Sequence, residues 1–177
     1  MVKTRAAKPA DLNAILKICE MAFEDQESTA IMELAAALMT EKTAPPILSL
    51  VATLDDEIIG YVSFSPIYLE SRDDIKGYIL APLAVAPGHQ RKGAGTTLIR
   101  EGKQLLADNG VDVVLVYGDP DYYSRTGFTT ASARLFVPPY PLEHQFGWQG
   151  LMLRCHETAD APLRFRCVKA LCKPALW

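Results

Sequence analysis

The stretch from Tyr78 to Gly118 constrains the fold most. YILAPLAVAP (78–87) is almost wholly apolar, the pattern of a strand covered on both faces. GHQRKGAG (88–95) follows, and two glycines break the apolar run. Leu98, Ile99, Gly102, Leu105 and Leu106 then recur at helical spacing, and Asn109-Gly110 is a C-terminal stop. VDVVLVYG (111–118) reads as a second buried strand. Strand, glycine turn, helix, strand over about 40 residues is a βαβ unit, which pairs its two strands in parallel.

The flanking sequence is of another kind. Residues 1–6 fit a short strand, and Lys8-Pro9-Ala10-Asp11 reads as a helix start with proline at the first helical position. Leu12, Ile15, Leu16, Cys19 and Phe23 continue that helix; Ile31, Leu34, Ala35, Leu38 and Met39 mark a second. The acidic segment Glu24-Asp25-Gln26-Glu27 is expected to join the two, and Pro45-Pro46 ends the helical region. Segments 47–54 and 58–69 are rich in β-branched and aromatic residues around Asp55-Asp56-Glu57, which predicts a hairpin. Glu70 to Lys76 is a charged loop. A short helix and strands at 134–138 and 149–155 follow the βαβ unit. The expected class is α/β with a mixed (α+β) central sheet. Its first half is antiparallel, it has one parallel βαβ crossover, and helices cover both faces. Residues 161–177 hold four basic side chains and no acid, and end in Leu176-Trp177. The expected division is a domain over 1–156 and a basic, apolar C-terminal appendage over 157–177, suited to packing on the domain or on a second copy in a homodimer.

Composition narrows the function. A chain of 177 residues fits one domain. With 49% hydrophobic and 22% charged residues it can bury a core rather than stay disordered. Eighteen basic against 21 acidic side chains give a net charge of −3, which argues against a nucleic-acid surface, so an anion site has to be a local cluster. No apolar run approaches the roughly 20 residues that cross a bilayer, and Asp11 and Lys17 interrupt any leader-like segment. Cys19, Cys155, Cys167 and Cys172 show no C-x-x-C spacing; reduced thiols in a cytoplasm are expected. Cys155-His156 and Cys167-x4-Cys172 lack a four-ligand pattern, so no metal is expected.

The turn QRKGAG (90–95) carries the chemistry. Its glycines let backbone N–H groups approach a ligand, and the helix that opens there adds unpaired donors and partial positive charge. Arg91 and Lys92 add full charges, so the pattern suits a phosphate. Gly88-x4-Gly93 begins like a P-loop, but Ala94 stands where its lysine belongs. Gly93-x-Gly95 begins like a dinucleotide fingerprint, but Leu98 replaces the third glycine. There is no G-x-S-x-G elbow of a serine hydrolase.

LAVAPGHQRKGAGTTLI resembles the central motif of the GNAT superfamily of acetyl-CoA-dependent N-acetyltransferases, matched by Gln90, Gly93 and Gly95. GDPDYYSRTGF (118–128) resembles its Tyr-x-x-x-Gly-Phe segment, with Tyr123 four residues before Gly127-Phe128, and VKTRAAKPADLNAI fits its opening strand and helix. The resemblance covers about residues 2–155. APLAV followed by GDPxYYxRxGF is similar in detail to small bacterial acetyltransferases of the YhbS type.

The resemblance implies acetyl transfer from acetyl-CoA to a primary amine by direct attack in a ternary complex. It implies that pantetheine lies along Ala81–Ala86. The backbone N–H groups of Leu83 and Val85, on either side of Ala84, would meet the cosubstrate and its carbonyl oxygen; their side chains read as core. Gln90 belongs to the motif, and amides of Arg91, Lys92, Gly93, Ala94, Gly95 and Thr96 would hold the pyrophosphate. Tyr123 would be the general acid, with Tyr122 equally available beside it. Arg125 would either touch a phosphate or stay solvated. Many relatives place a glutamate on the strand before the turn; the matching position here is apolar, near Ile79. Glu24, Asp25, Glu27, Asp73, Asp74 and His144 are the remaining candidates for a base. The alternatives are a non-catalytic acyl-CoA-binding sensor that lacks a base and, more distantly, a nucleotide-binding domain.

Overall fold

Alternating side chains and a tight turn build the antiparallel part. β1 (Lys3–Ala6) pairs with β2 (Leu48–Leu54), and β2 pairs with β3 (Glu57–Leu69) from Leu48↔Phe64 to Leu54↔Glu57. The hairpin loop is only Asp55-Asp56, and both residues have positive φ (49° and 66°). That is the left-handed pair which a two-residue loop needs to match the strand twist, and aspartate tolerates it better than most side chains. β4 (Gly77–Val85) pairs in parallel with β5 (Val113–Tyr117) from Gly77↔Val113 to Leu80↔Val116, and β5 pairs antiparallel with β7 (Trp148–Met152). β6 (Phe136–Val137) and β8 (Leu163–Arg166) form a short second parallel pair, and β8 also joins β3 at Tyr68↔Arg166. The sheet is therefore mixed, with strand order β1-β2-β3-β4-β5-β7. The computed structural model describes residues 1–155 and 160–177; His156 and the expected boundary after residue 156 lie outside the described residues.

Two compact units are distinguished, each discontinuous in sequence: Met1–Phe64 with Ala81–Gly102, and Ser65–Leu80 with Lys103–Trp177. In the first, α1 (Leu12–Ala22) and α2 (Asp25–Thr40) cover one sheet face. Ile15, Ile18 and Cys19 of α1 and Ala35 of α2 form one buried cluster with Val51, Tyr61 and Ala84. Burial pushes the Cys19 thiol up to about 12, so it stays protonated. Residues of opposite parity, Gly60 and Phe64, face α3 (Ala94–Asp108). A Cβ on Gly60 would sit 3.1 Å from Leu98, and one on Gly102 would run into the Phe64 ring. Helices thus lie on both faces of this unit.

Two local expectations change. Helix α1 is preceded by a tight 3-10 turn, Pro9–Asp11, whose Asp11 carboxylate accepts the Lys8 N–H at 2.7 Å and both Arg5 terminal nitrogens at 2.7 and 3.0 Å. The acidic segment is not a connecting loop. Ser28 N–H donates to the Glu24 carbonyl at 2.7 Å, so Asp25–Glu27 form the first turn of α2, where carboxylates complement the partial positive charge of a helix start.

In the second unit Val113–Val116 are all but fully buried, as their apolar run requires. Gly110, with φ +77°, reverses the chain after α3, and Val111 N–H caps the Leu106 carbonyl. Buried Asp112 accepts the Lys76 N–H at 2.7 Å. The basic tail contributes β8. In Leu163–Arg166 the apolar residues are buried and the arginines exposed, an alternation that the charge count of the segment concealed. Trp177 packs on Tyr140 and Trp148, with ring centroids 6.1 and 6.0 Å apart.

Candidate functional site

The turn is built by alternating backbone conformations. Arg91 (φ +58°) and Gly93 (φ +87°) are left-handed, whereas Lys92 and Ala94 are not. Such alternation points successive N–H groups into one concavity, a backbone nest for an anion. Arg91 holds this conformation at a cost of about 1–2 kcal/mol, which glycine at 93 does not incur. Thr97 N–H makes the first helical bond, to the Gly93 carbonyl at 2.9 Å. Among the described residues, no N–H from Arg91 to Thr96 has a hydrogen-bond acceptor. Six donors thus crowd the start of a 15-residue helix, where the helix dipole adds to their charge. Gln90 braces the turn: its Nε2 donates to the Val85 carbonyl at 3.1 Å. Lys92 folds back, and its Nζ donates to the Gly88 carbonyl at 2.9 Å.

The strand before the turn offers a second set of donors. Pro82 has no N–H, and the parallel ladder stops at Leu80↔Val116. Ala86 N–H donates to the Ile59 carbonyl of β3 at 2.9 Å. Since N–H directions alternate along a strand, Leu83 and Val85 direct theirs to the opposite edge. Their side chains do not fill the core as expected. Pro82 and Ala84 take the inward positions, and Leu83 and Val85 are half-buried, because alternation admits only one parity to the interior.

In the second unit the segment after β5 holds Tyr123. Pro120–Tyr123 form the short helix α4, capped by Asp119, whose carboxylate accepts the Asp121 N–H at 2.9 Å. The Tyr123 ring lies on Gly118, where a Cβ would come within 2.6 Å of its Cε2. It meets Phe128 edge-on at 5.8 Å and Tyr122 at 5.1 Å. Gly127 (φ +96°) turns the chain and Phe128 is fully buried, so each member of Tyr-x-x-x-Gly-Phe has a physical task. Burial, then the nearby Tyr122 and Asp119, push the Tyr123 phenol well above its ordinary value. Arg125 is exposed.

The model of the acetyltransferase (GNAT) family matches residues 12–128. The chain belongs to this GNAT family. It is 37% identical over 120 residues to the uncharacterised N-acetyltransferase YjhQ of Escherichia coli K12, covering 66% of each chain. It is 41% identical over 86 residues to the uncharacterised N-acetyltransferase YhbS of the same strain, covering 48% of this chain and 51% of that protein. The matches thus span just under two thirds and about half the length of these curated relatives. Among solved structures, that of E. coli YhbS in complex with CoA aligns with a TM-score of 0.75 and 28% identity, covering 93% of this chain and 89% of that one. A GNAT acetyltransferase from Brucella melitensis in complex with acetyl-CoA aligns with a TM-score of 0.66 and 27% identity, over 92% and 94%.

For a GNAT protein the position near Ile79 bears on the base. Ile79 is 2% exposed and paired with Leu115, with no room for a solvated carboxylate. The other candidates are scattered. Glu24, Asp25 and Glu27 line an open cavity of about 580 Å³ in the first unit. Asp74 is gripped by Arg72 through two 2.7 Å bonds, and Asp73 is exposed. The exposed His144 ring rests 5.3 Å from Phe146, its Nε2 4.0 Å from Glu143. Among the described residues no group of three His, Cys, Asp or Glu side chains could hold a metal ion, and no helix is long and apolar enough to cross a membrane. Sequence reasoning missed the brace from Gln90 to Val85 and the bed that Gly118 provides for Tyr123. The glycine before Asp119-Pro120 was the only signal for the second.

Proposed function

We propose that this GNAT protein transfers the acetyl group of acetyl-CoA to a primary amine by direct attack in a ternary complex. The observation that carries the reading is the run of six acceptor-free N–H groups from Arg91 to Thr96, a ready receptor for a pyrophosphate. The CoA and acetyl-CoA held by the two similar solved structures support it. Leu83 and Val85 N–H groups would face the thioester carbonyl and stabilise the oxyanion as the amine nitrogen attacks; one such donor is worth about 2.7–4 kcal/mol. The C–S bond then breaks, and the sulfur leaves as a thiolate.

Tyr123 would serve that sulfur. Its raised pKa keeps the phenol protonated through neutral pH and makes complete transfer to a thiolate uphill. The role that follows is hydrogen-bond donation to sulfur as charge develops, with the proton arriving as the product leaves. No base is assigned: the amine enters neutral or sheds its proton to water. The four unpaired thiols fit a reducing cytoplasm as the place of work.

Calorimetry with CoA and acetyl-CoA, alongside CoA release over a panel of amines, tests the reading. The expected result is saturable binding of both nucleotides and turnover with at least one amine. Failure of CoA to bind would remove the proposal. Binding without turnover on any amine would favour the second reading, a non-catalytic acyl-CoA sensor, which the apolar Ile79 position supports.

A further inference from the structure

The second unit contains a cavity of about 480 Å³ that the proposed acetyl transfer does not use. Phe136, Tyr140 and Trp148 contribute aromatic walls, and Pro138, Pro139 and Pro141 add rigid rings without N–H groups. The wall is fixed in place. Trp148 Nε1 donates to the Phe136 carbonyl at 2.8 Å, and its indole stacks on Phe165 at 6.2 Å with 8° between the planes. Trp177 closes on Tyr140 and Trp148 from the tail. A preformed apolar cavity of this size with few polar groups suits a small molecule.

Charge decides which kind. The lining includes one cation, Arg134, the polar Gln145, and no acidic side chain. Among the described residues the Arg134 guanidinium has no hydrogen-bonding or carboxylate partner. A guanidinium beside aromatic walls pairs with a planar carboxylate through two parallel bonds and repels an ammonium.

We propose that this cavity binds a flat apolar molecule bearing one carboxylate, seated between Trp148 and the proline wall with its anion on Arg134. The site is independent of the acetyl-transfer reading, and its charge excludes a simple cationic amine. Both tryptophans of the chain, Trp148 and Trp177, belong to this neighbourhood, so tryptophan emission reports on it.

The test titrates the full chain with 3-phenylpropionate, its neutral amide and the matching amine, 3-phenylpropylamine. The expected result is a saturable change in emission with the carboxylate, and binding about tenfold weaker or less for the amide and the amine, the worth of a charge-assisted bond. Arg134→Gln should abolish the preference for carboxylate over amide while leaving amide binding in place. Arg134 is exposed, so the variant should fold; if it does not, the three probes on the unaltered protein still decide. Equal response to all three, non-saturable quenching, or an unchanged preference in Arg134→Gln would overturn the proposal.

Discussion

In the turn from Arg91 to Thr96 a ligand would meet backbone, whereas in the segment from Gly118 to Phe128 it would meet a side chain. The turn needs only φ signs and a following helix, and it offers N–H groups whatever its side chains are. The Tyr123 phenol depends on Gly118 beneath it and on Phe128 and Tyr122 around it. One region should therefore answer to changes in backbone freedom, and the other to the loss of a single oxygen.

The largest expected effect separates the two. Tyr123→Phe should lower kcat about 10²-fold while CoA affinity, measured by calorimetry, stays put. Unchanged kcat would take the phenol out of the reaction. Gly102→Val tests the packing of α3 on β3 in the first unit. Forcing a side chain against Phe64 should cost about 1–3 kcal/mol in urea denaturation, without changing the CoA affinity of the folded fraction. Gly93→Val probes the turn alone. A Cβ there meets nothing within 4 Å, so the penalty is the left-handed backbone, about 1–2 kcal/mol. That should appear as roughly tenfold weaker CoA binding at unchanged circular dichroism. Equal affinity would mean that the turn does not hold the nucleotide.

The smallest effect concerns the Arg5–Asp11 pair, which belongs to neither region. Hydrogen bonds from Arg5 lead in holding the Asp11 carboxyl below its ordinary value. Its contribution is therefore present above about pH 4 and lost as the pH falls below that. Asp11→Asn should remove about 1 kcal/mol or less at neutral pH, since Arg5 is partly exposed, and should flatten the acid limb of the stability profile.

The regions also differ in how far they could be read from residue order. The βαβ unit, the hairpin and the turn were legible because each rests on local rules: apolar runs, residues that tolerate positive φ, and a helix start beside glycines. The charged features misled. Glu24 to Glu27 looked like solvated loop, yet three of those four residues open α2, since an acid suits a helix start as well as a loop. In the tail four basic residues outweighed a two-residue alternation, so the strand β8 within it became visible only through its partners β3 and β6.

The amino-acid order alone determined where the chain turns and which backbone stretch is left with unpaired donors, because φ preferences and helix ends are decided within a few residues. Only the tertiary structure decided that Leu83 and Val85 aim their N–H groups away from β3, that Tyr123 packs between Gly118 and Phe128 with its phenol pKa raised, and that Arg134 joins an aromatic cavity with no acid in its wall. Those properties come from strand parity, burial and charge neighbours, which depend on residues far apart in the chain.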